Sequence, residues 1–401
     1  MVTFQIQNNN IWKSLDSVSE WVSKNRYIGW DLYDGLNSIR IQKLCKGSKS
    51  LEMVFTQLNV YSPINLRPLL KIEKGRDTKG SALFAQTFSN LYYLTGKKIY
   101  KTELEECISL LKEMSLKKIY NFDCWSSHYF PYLSISKIKL LPGIPDIIGT
   151  SQVIIALSKS SKIIKDNTLK EIISSGALFL IERLLEKRNG DYFFKYHLSE
   201  NDKTEVLNAS AQGLECLSYV LALERNNYIE DVCEKITESL IKNQKKDGSW
   251  IYSIKINGKE RIQLDFHQGY ILDGLLSFLP YSYNKHKIIE SLNKGINFYK
   301  NTLFLKNGES FYRYPMKYPV DIHNQAQGII TFSKLQNIDR NYLYFAEKIA
   351  LWTIGHMQSE EGYFYSHKWP IITNKIPYMR WGQAWMMLAL STLLKEMDYG
   401  E

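Results

Sequence analysis

The sequence predicts an all-α fold, an (α/α)6 toroid in which twelve helices form two concentric rings, with short β-hairpins on one rim. Three observations lead there. A Gln set among small residues at the start of an apolar helix recurs six times; longer amphipathic helices alternate with these copies; and glycine turns followed by aromatic residues join successive pairs.

The six apolar copies are "KGSALFAQTFSNLYYL" from Lys79, "DIIGTSQVIIALSK" from Asp146, "LNASAQGLECLSYVLAL" from Leu207, "LDFHQGYILDGLLSFL" from Leu264, "DIHNQAQGIITFSKL" from Asp321 and "RWGQAWMMLALSTLL" from Arg380. Their glutamines, Gln86, Gln152, Gln212, Gln268, Gln327 and Gln383, are spaced 66, 60, 56, 59 and 56 residues apart. A nearly even period of this length marks a repeat architecture. A helix apolar on almost every side has to be surrounded, so these six are read as the inner ring. Polar groups are expected only at their starts.

The outer ring is read from "WKSLDSVSEWVSKN", "KTELEECISLLKEMSLKKI", "LKEIISSGALFLIERLLEK", "IEDVCEKITESLIKNQ", "HKIIESLNKGINFYKNTL" and "NYLYFAEKIALWTIGHMQ". Each has apolar residues at three and four spacing with charge between, the pattern of a helix with one wet face. After several of them come "NGDYFFKY", "DGSWIYSI", "NGESFYRY" and "EGYFYSHKWP". Asn-Gly and Asp-Gly make tight turns, and the alternating aromatics that follow predict short extended segments leading to the inner helices. The chain is thus expected to be one domain over 1–401, with 26–78 an irregular segment outside the repeat that covers the cavity.

Composition limits the function. The 401 residues are 44% hydrophobic and 23% charged, an ordinary globular balance, and 27 of them are Tyr. Lys plus Arg outnumber Asp plus Glu by 51 to 41, which favours an anionic partner. The lysines are scattered rather than gathered, so a nucleic-acid surface is not expected. Five cysteines without Cys-x-x-Cys spacing argue for reduced thiols and against structural zinc. No stretch approaches the roughly 18 apolar residues of a membrane span, and "MVTFQIQNNN" lacks the features of a secretion signal. A cytoplasmic protein is expected, and the oligomeric state is left open.

Two sets of short stretches carry a resemblance. "QKKDGSW", from Gln244 to Trp250, fits the Gln-x-x-x-Gly-x-Trp repeat of squalene cyclase and prenyltransferase-like toroids, and "QSEEGYF" from Gln358 is a near copy. "GWDLYDGLNS", "SPINLRPLLKIEKG", "NASAQG" and "YMRWGQAW" resemble toroid proteins of polysaccharide-biosynthesis loci, and "NASAQG" resembles a helix start in the C-terminal domain of D-glucuronyl C5-epimerases. The resemblance implies a carbohydrate-active enzyme acting on an anionic glycan or sugar precursor, by C5-epimerisation of a uronic acid residue.

The residues themselves place polar chemistry at the inner-helix starts. Asp265 and His267 head the fourth inner helix, and Asp321 and His323 stand at the matching place in the fifth. Helices entering one cavity by their N-termini surround it with positive dipole ends, a field that favours an anion. Proton abstraction beside a carboxylate needs a cation for the developing charge and an acid or base on each side of the carbon. Arg380 is the expected carboxylate fork, with Trp381 as a sugar-stacking surface. His267, His323, Tyr378 and Tyr33 are the proton-transfer candidates, with Asp265 and Asp321 orienting the imidazoles. Trp30, Asp31, Asp34 and Arg67 of the N-terminal segment, and Asn208, Gln268 and Trp250 on the rim, complete the substrate-binding candidates.

The same residues suit a uronate lyase, and Asp265 with Asp321 would suit a glycoside hydrolase. A non-catalytic glycan-binding assembly factor would keep the pocket alone. A terpenoid or lipid cyclase is opposed by the absence of any Asp-Asp pair. No metal site, phosphate loop or other cofactor motif is visible, and none is expected.

Overall fold

The structure, a computed structural model, describes residues 2–133, 139–199 and 203–398. Helix α1 (Val2–Lys24) is followed by a cap holding α2 (Ile39–Cys45), α3 (Lys49–Tyr61) and α4 (Arg67–Leu70). Then inner and outer helices alternate: α5 (Thr78–Thr95) with α6 (Lys98–Glu113), a short α7 (Lys117–Tyr120), α8 (Ile147–Ser160) with α9 (Thr168–Phe179), and α10 (Leu207–Leu221) with α11 (Asn227–Lys242). α12 (His267–Phe278) with α13 (Lys285–Leu303), α14 (Ile322–Lys334) with α15 (Asn341–Met357), and α16 (Trp385–Asp398) complete the chain. The inner helices α5, α8, α10, α12, α14 and α16 pack each against the next, and α16 returns to α5. α1 supplies the sixth outer helix against α16, so the twelve-helix (α/α)6 toroid closes. Short antiparallel strand pairs, such as His367–Lys368 with Thr373–Asn374, stand on one rim.

Gln-x-x-x-Gly-x-Trp is a joint between outer helices. Gln244 Nε2 donates to the Gly248 carbonyl at 3.0 Å and to the Ser291 carbonyl of α13 at 3.0 Å, while the Trp250 indole donates to the Leu240 carbonyl at 2.9 Å. In the near copy, Gln358 Nε2 reaches the Gly362 carbonyl at 2.8 Å and the Ser14 carbonyl of α1 at 3.1 Å, which fastens the last repeat to the first helix. Gly248 has φ +92°, and a Cβ there would stand 2.2 Å from the Lys294 carbonyl oxygen. Trp250, expected to bind substrate, is therefore a packing residue.

The glutamines resolve into two layers rather than one column. Gln86, Gln152, Gln212, Tyr270, Gln327 and Trp385 surround a small central void at one level, with spacings of 66, 60, 58, 57 and 58 residues. Gln86 Nε2 donates to Gln152 Oε1 at 2.9 Å and Gln152 Nε2 to Gln212 Oε1 at 2.8 Å, tying three helices together. Two residues earlier in five of the six helices stand Thr150, Ser210, Gln268, Gln325 and Gln383, which hold the preceding segment by its backbone, while α5 has Phe84 there. Gln268 Oε1 accepts from the Trp250 N–H at 2.8 Å, and Gln383 Oε1 from the Phe364 N–H at 2.7 Å. Gln268 is thus a clamp, not a ligand for substrate.

The inner helices are less apolar than their sequence pattern implies. Lys334 Nζ donates to Glu215 Oε1 at 2.7 Å and to Asp273 Oδ2 at 2.9 Å, deep between α10, α12 and α14. Buried charge is tolerated here because each charged group has an opposite partner, and Gln327 Nε2 donates a further bond to Asp273 Oδ2 at 3.1 Å.

The glycine joint yields a stability prediction. Gly248→Ala adds a backbone clash to a left-handed conformation, whereas Gly258→Ala, at φ +77° with nothing within 4 Å of its new Cβ, meets the conformational cost alone. Thermal or urea unfolding is expected to show Gly248→Ala the more destabilising by about 2 kcal/mol or more; equal losses would refute the clash.

Candidate functional site

Four residues before the central layer, one helical turn toward the helix starts, lie Ile148, Asn208, Phe266, His323 and Trp381. All five line a cavity of about 290 Å³ at the rim. α3 adds Met53, Thr56, Gln57, Val60 and Tyr61 as a wall, and the rim segments add Tyr132, Tyr196 and Tyr252. Ring faces of this number around one space suit a sugar, whose axial C–H surfaces pack on aromatics while its hydroxyls reach polar edges.

The first acid/base unit is Asp265 with His267. The Asp265 carboxylate accepts the His267 N–H at 3.2 Å, as an N-cap does, and meets the imidazole Nδ1 at 2.5 Å. Gln263 Nε2 donates to its other oxygen at 2.8 Å, with Arg313 Nε 3.6 Å away. Burial alone would raise the Asp265 pKa, but His267, Gln263 and Arg313 outweigh it and hold the carboxyl below its usual value. With the carboxylate ionised, Nδ1 carries the proton and Nε2 is left as the acceptor.

The second unit is His323 with Tyr270. His323 Nε2 lies 2.7 Å from the Tyr270 hydroxyl, and Nδ1 is buried with no hydrogen-bond partner among the described residues. Burial, together with Lys79, Arg380 and His267, lowers the His323 pKa well below its ordinary value, so the ring is neutral. Phe266 stacks on both imidazoles, centroids 4.1 Å from His267 and 4.2 Å from His323, so the two rings occupy opposite faces of one phenyl. Asp321 caps α14 through the His323 N–H at 2.9 Å, accepts the Trp381 indole N–H at 2.9 Å, and faces His367 Nε2 at 3.5 Å.

Arg380 occupies the cavity wall, but its fork is already engaged. Nε and one terminal nitrogen donate to the two oxygens of Asp31, each at 2.8 Å, and Asp77 lies 3.4 Å from Nε. Burial would raise the Asp31 pKa; Arg380 outweighs it and keeps the carboxylate ionised. The carboxylate fork expected at Arg380 is thus satisfied by the protein itself, and Asp31 is its partner rather than a sugar ligand.

Tyr33, Asn208, Asp265, His267, Asp321, His323, Arg380 and Trp381 therefore line one cavity, and the other candidates stand behind it. Tyr378 accepts from Arg67 NH1 at 2.9 Å; Arg67 Nε donates to Asp34 Oδ1 at 2.8 Å; all three are buried anchors of the cap. The Trp30 indole donates to the Ile72 carbonyl at 3.0 Å. Their polar atoms were needed to satisfy a buried loop, which outweighed any role at the cavity.

Sequence reasoning missed Lys79, Tyr270, Arg261 and Arg313, which also line the cavity. Lys79 had a signal: Asp77-x-Lys79 repeats Asp265-x-His267 and Asp321-x-His323 at the first inner helix, with Asp77 capping it through the Gly80 N–H at 2.8 Å. Its Nζ lies over the Trp385 ring, 5.0 Å from the centroid, with no carboxylate in ion-pair reach among the described residues. Burial, reinforced by Arg380, brings the Lys79 pKa down to about 7.

An (α/α)6 toroid with an aromatic, cation-lined rim cavity is the class of protein that fold and site define. No protein-family model matches the chain, and no curated protein matches its sequence. Solved structures do. An unsaturated glucuronyl hydrolase specific for heparin superposes with a TM-score of 0.66 at 12% identity, covering 98% of this chain and 97% of its own. A GH76 α-mannanase of Bacteroides thetaiotaomicron gives 0.66 at 11% identity, over 81% of this chain and 88% of its own. A cellobiose 2-epimerase from Bacillus thermoamylovorans gives 0.61 at 12% identity, over 79% and 87%. At such identities the likeness establishes the toroid fold.

The lowered Lys79 pKa is directly testable. Acetylation of the native protein, read by peptide mass spectrometry across pH, is expected to show Lys79 reacting with a midpoint near 7, while exposed lysines follow the ordinary amine value near 10.4. A Lys79 midpoint above 9 would refute the buried, unpaired amine.

Proposed function

We propose that the protein is a carbohydrate-active enzyme that epimerises a uronic acid residue of a glycan, or of its precursor, at C5 by removing and returning a proton. The supporting observation is the Asp265–His267 pair set in a cavity where Lys79, Arg261 and Arg313 outnumber the carboxylates Asp265 and Asp321, Arg380 being already paired with Asp31. An anionic sugar supplies the missing negative charge. Likeness to solved structures of sugar-processing enzymes agrees with a sugar substrate.

In this reading the substrate carboxylate lies against Lys79, with Arg313 at the opposite wall. His267 Nε2 takes the C5 proton while Asp265 steadies the imidazolium, and the C5–H electron pair moves into the carboxylate as an enolate. Lys79 and the inner-helix N-termini stabilise that charge. Tyr270, held by His323 Nε2, gives its hydroxyl proton to the other face as the enolate electron pair forms the new C5–H bond, which inverts C5 with no bond to the neighbouring sugar broken; His267 then releases the proton it took to water, and Tyr270 regains one. A lyase would instead expel the 4-substituent from the same intermediate. Hydrolysis is less well supported: its acid needs a raised pKa, and Asp265 is held below its usual value.

The test is proton exchange followed by NMR in heavy water with glucuronate-containing oligosaccharides. Deuterium at C5 without cleavage is the expected result; an unsaturated sugar would mean a lyase, new reducing ends a hydrolase, and no exchange and no binding would overturn the uronate reading. His267→Gln is expected to slow exchange by about 10²–10⁴-fold with binding retained. A purely binding protein would show no exchange to lose.

The pH dependence has a definite sign. Lys79 is cationic below about pH 7 and neutral above it, so kcat/KM for an anionic sugar is expected to fall as pH rises through that value. Lys79→Gln should remove this limb and weaken binding at pH 6. A profile unchanged by the substitution would exclude Lys79 as the carboxylate site.

A further inference from the structure

Helix α3 is built inside out. Its inner side buries Glu52, Thr56 and Asn59 beside a single apolar residue, Val60, while Leu51, Val54 and Leu58 face outward, Leu58 at 58% exposure. Most of these buried polar atoms are partnered: Glu52 pairs with Lys139 at 2.6 Å, Thr56 Oγ1 donates to the Glu52 carbonyl at 2.8 Å and Asn59 Nδ2 donates to the Phe55 carbonyl at 3.1 Å, while Asn59 Oδ1 has no partner among the described residues. Among the described residues nothing covers the outer apolar stripe. The same cap also exposes Ile39 and Leu44 of α2, together with Ile64 and Leu69, these last two at 69% exposure each.

A neighbouring hairpin extends the same surface. The Tyr61 hydroxyl at the end of α3 lies 2.7 Å from that of Tyr312, and the Ser62 carbonyl accepts from Asn374 Nδ2 at 2.9 Å. Asn374 belongs to the hairpin His367–Asn374, whose tip reads Trp-Pro-Ile-Ile, with Ile371 96% and Ile372 54% exposed. Lys368 and Lys375 flank that tip. Around the cap the exposed charges are Arg40, Lys43, Lys46, Lys49, Lys71 and Lys74 against a single exposed carboxylate, Glu73.

Exposed apolar patches of this extent mark an interaction site. An apolar stripe fringed by lysines, with an aromatic residue and isoleucines at a loop tip, has the chemistry of the boundary between lipid headgroups and acyl chains. We infer that the cap and the 367–374 hairpin form a docking surface for an anionic lipid bilayer. Among the described residues no helix is long and apolar enough to cross a membrane, so the contact is interfacial. Charge complementarity favours this occupant over a protein partner, because the basic fringe runs along the whole cap without the interspersed carboxylates of a two-signed interface. The inference does not depend on the chemistry proposed for the cavity.

The full chain should be sedimented with vesicles of phosphatidylcholine alone and of phosphatidylcholine mixed with phosphatidylglycerol. Binding to the mixed vesicles, weaker on the neutral ones and reduced several-fold by raised salt, is expected. Val54→Glu with Leu58→Glu, both outward-facing, should lower the partition about tenfold or more without moving the thermal unfolding midpoint. As a second measure, Ile371→Cys carrying an environment-sensitive dye should shift to the blue on mixed vesicles; the five native cysteines are buried. No binding, binding untouched by the double substitution, or a concentration-dependent oligomer that Leu58→Glu dissociates in place of vesicle binding would each overturn the inference.

Discussion

The ion pairs through Arg380 join three segments remote in sequence: Asp31 in the cap, Asp77 at the start of the first inner helix, and the π-helical turn Met379–Ala384 that opens the last. The ring closes at this seam, since α16 packs against α5 there. Removing one member of such a buried set would strand the others without counter-charge, a loss of about 3–5 kcal/mol. The same guanidinium sits close enough to Lys79 to help depress its pKa, and to His323 to help keep it neutral. Closure of the fold and the charge of the cavity are consequences of one constraint.

Five of the six inner helices then assign their turns to separate tasks. The residues at the cavity level meet ligand space; two positions on, Thr150, Ser210, Gln268, Gln325 and Gln383 clamp the incoming segment; two further, the central layer links helix to helix. Polar side chains at the last two levels are consumed by structure. Those at the first face the cavity, where Asp265 holds both the backbone N–H and the imidazole of His267.

The ring architecture was legible in the sequence because each helix must bury one stripe or all of its surface, and that requirement writes itself as periodicity. The Asp-x-His pairs were legible too, being local and repeated. The glutamine column was read two residues out of register in two copies, since Gln268 and Gln383 belong to the clamp level while Tyr270 and Trp385 hold the central one; composition at a single position does not fix a level. Tyr378, Arg67 and Asp34 were misjudged for a different reason. Whether a buried Arg binds substrate or the protein depends on partners such as Asp34, which folding brings from 33 positions away, and no local pattern contains that fact.

Two lysines of the inner ring differ in their partners. Lys334 has Glu215 and Asp273 within 2.9 Å, and although burial opposes its charge, those carboxylates raise its pKa well above the ordinary value. Lys79 lies over an indole with only distant carboxylates, and its pKa falls to about 7. A protein that needed Lys79 only for packing would gain by replacing it with an apolar residue, because an unpaired buried amine is costly. Under the proposed uronate reading, the carboxylate that Lys79 lacks is the substrate's own, and the surplus of cations at the rim is what would select it.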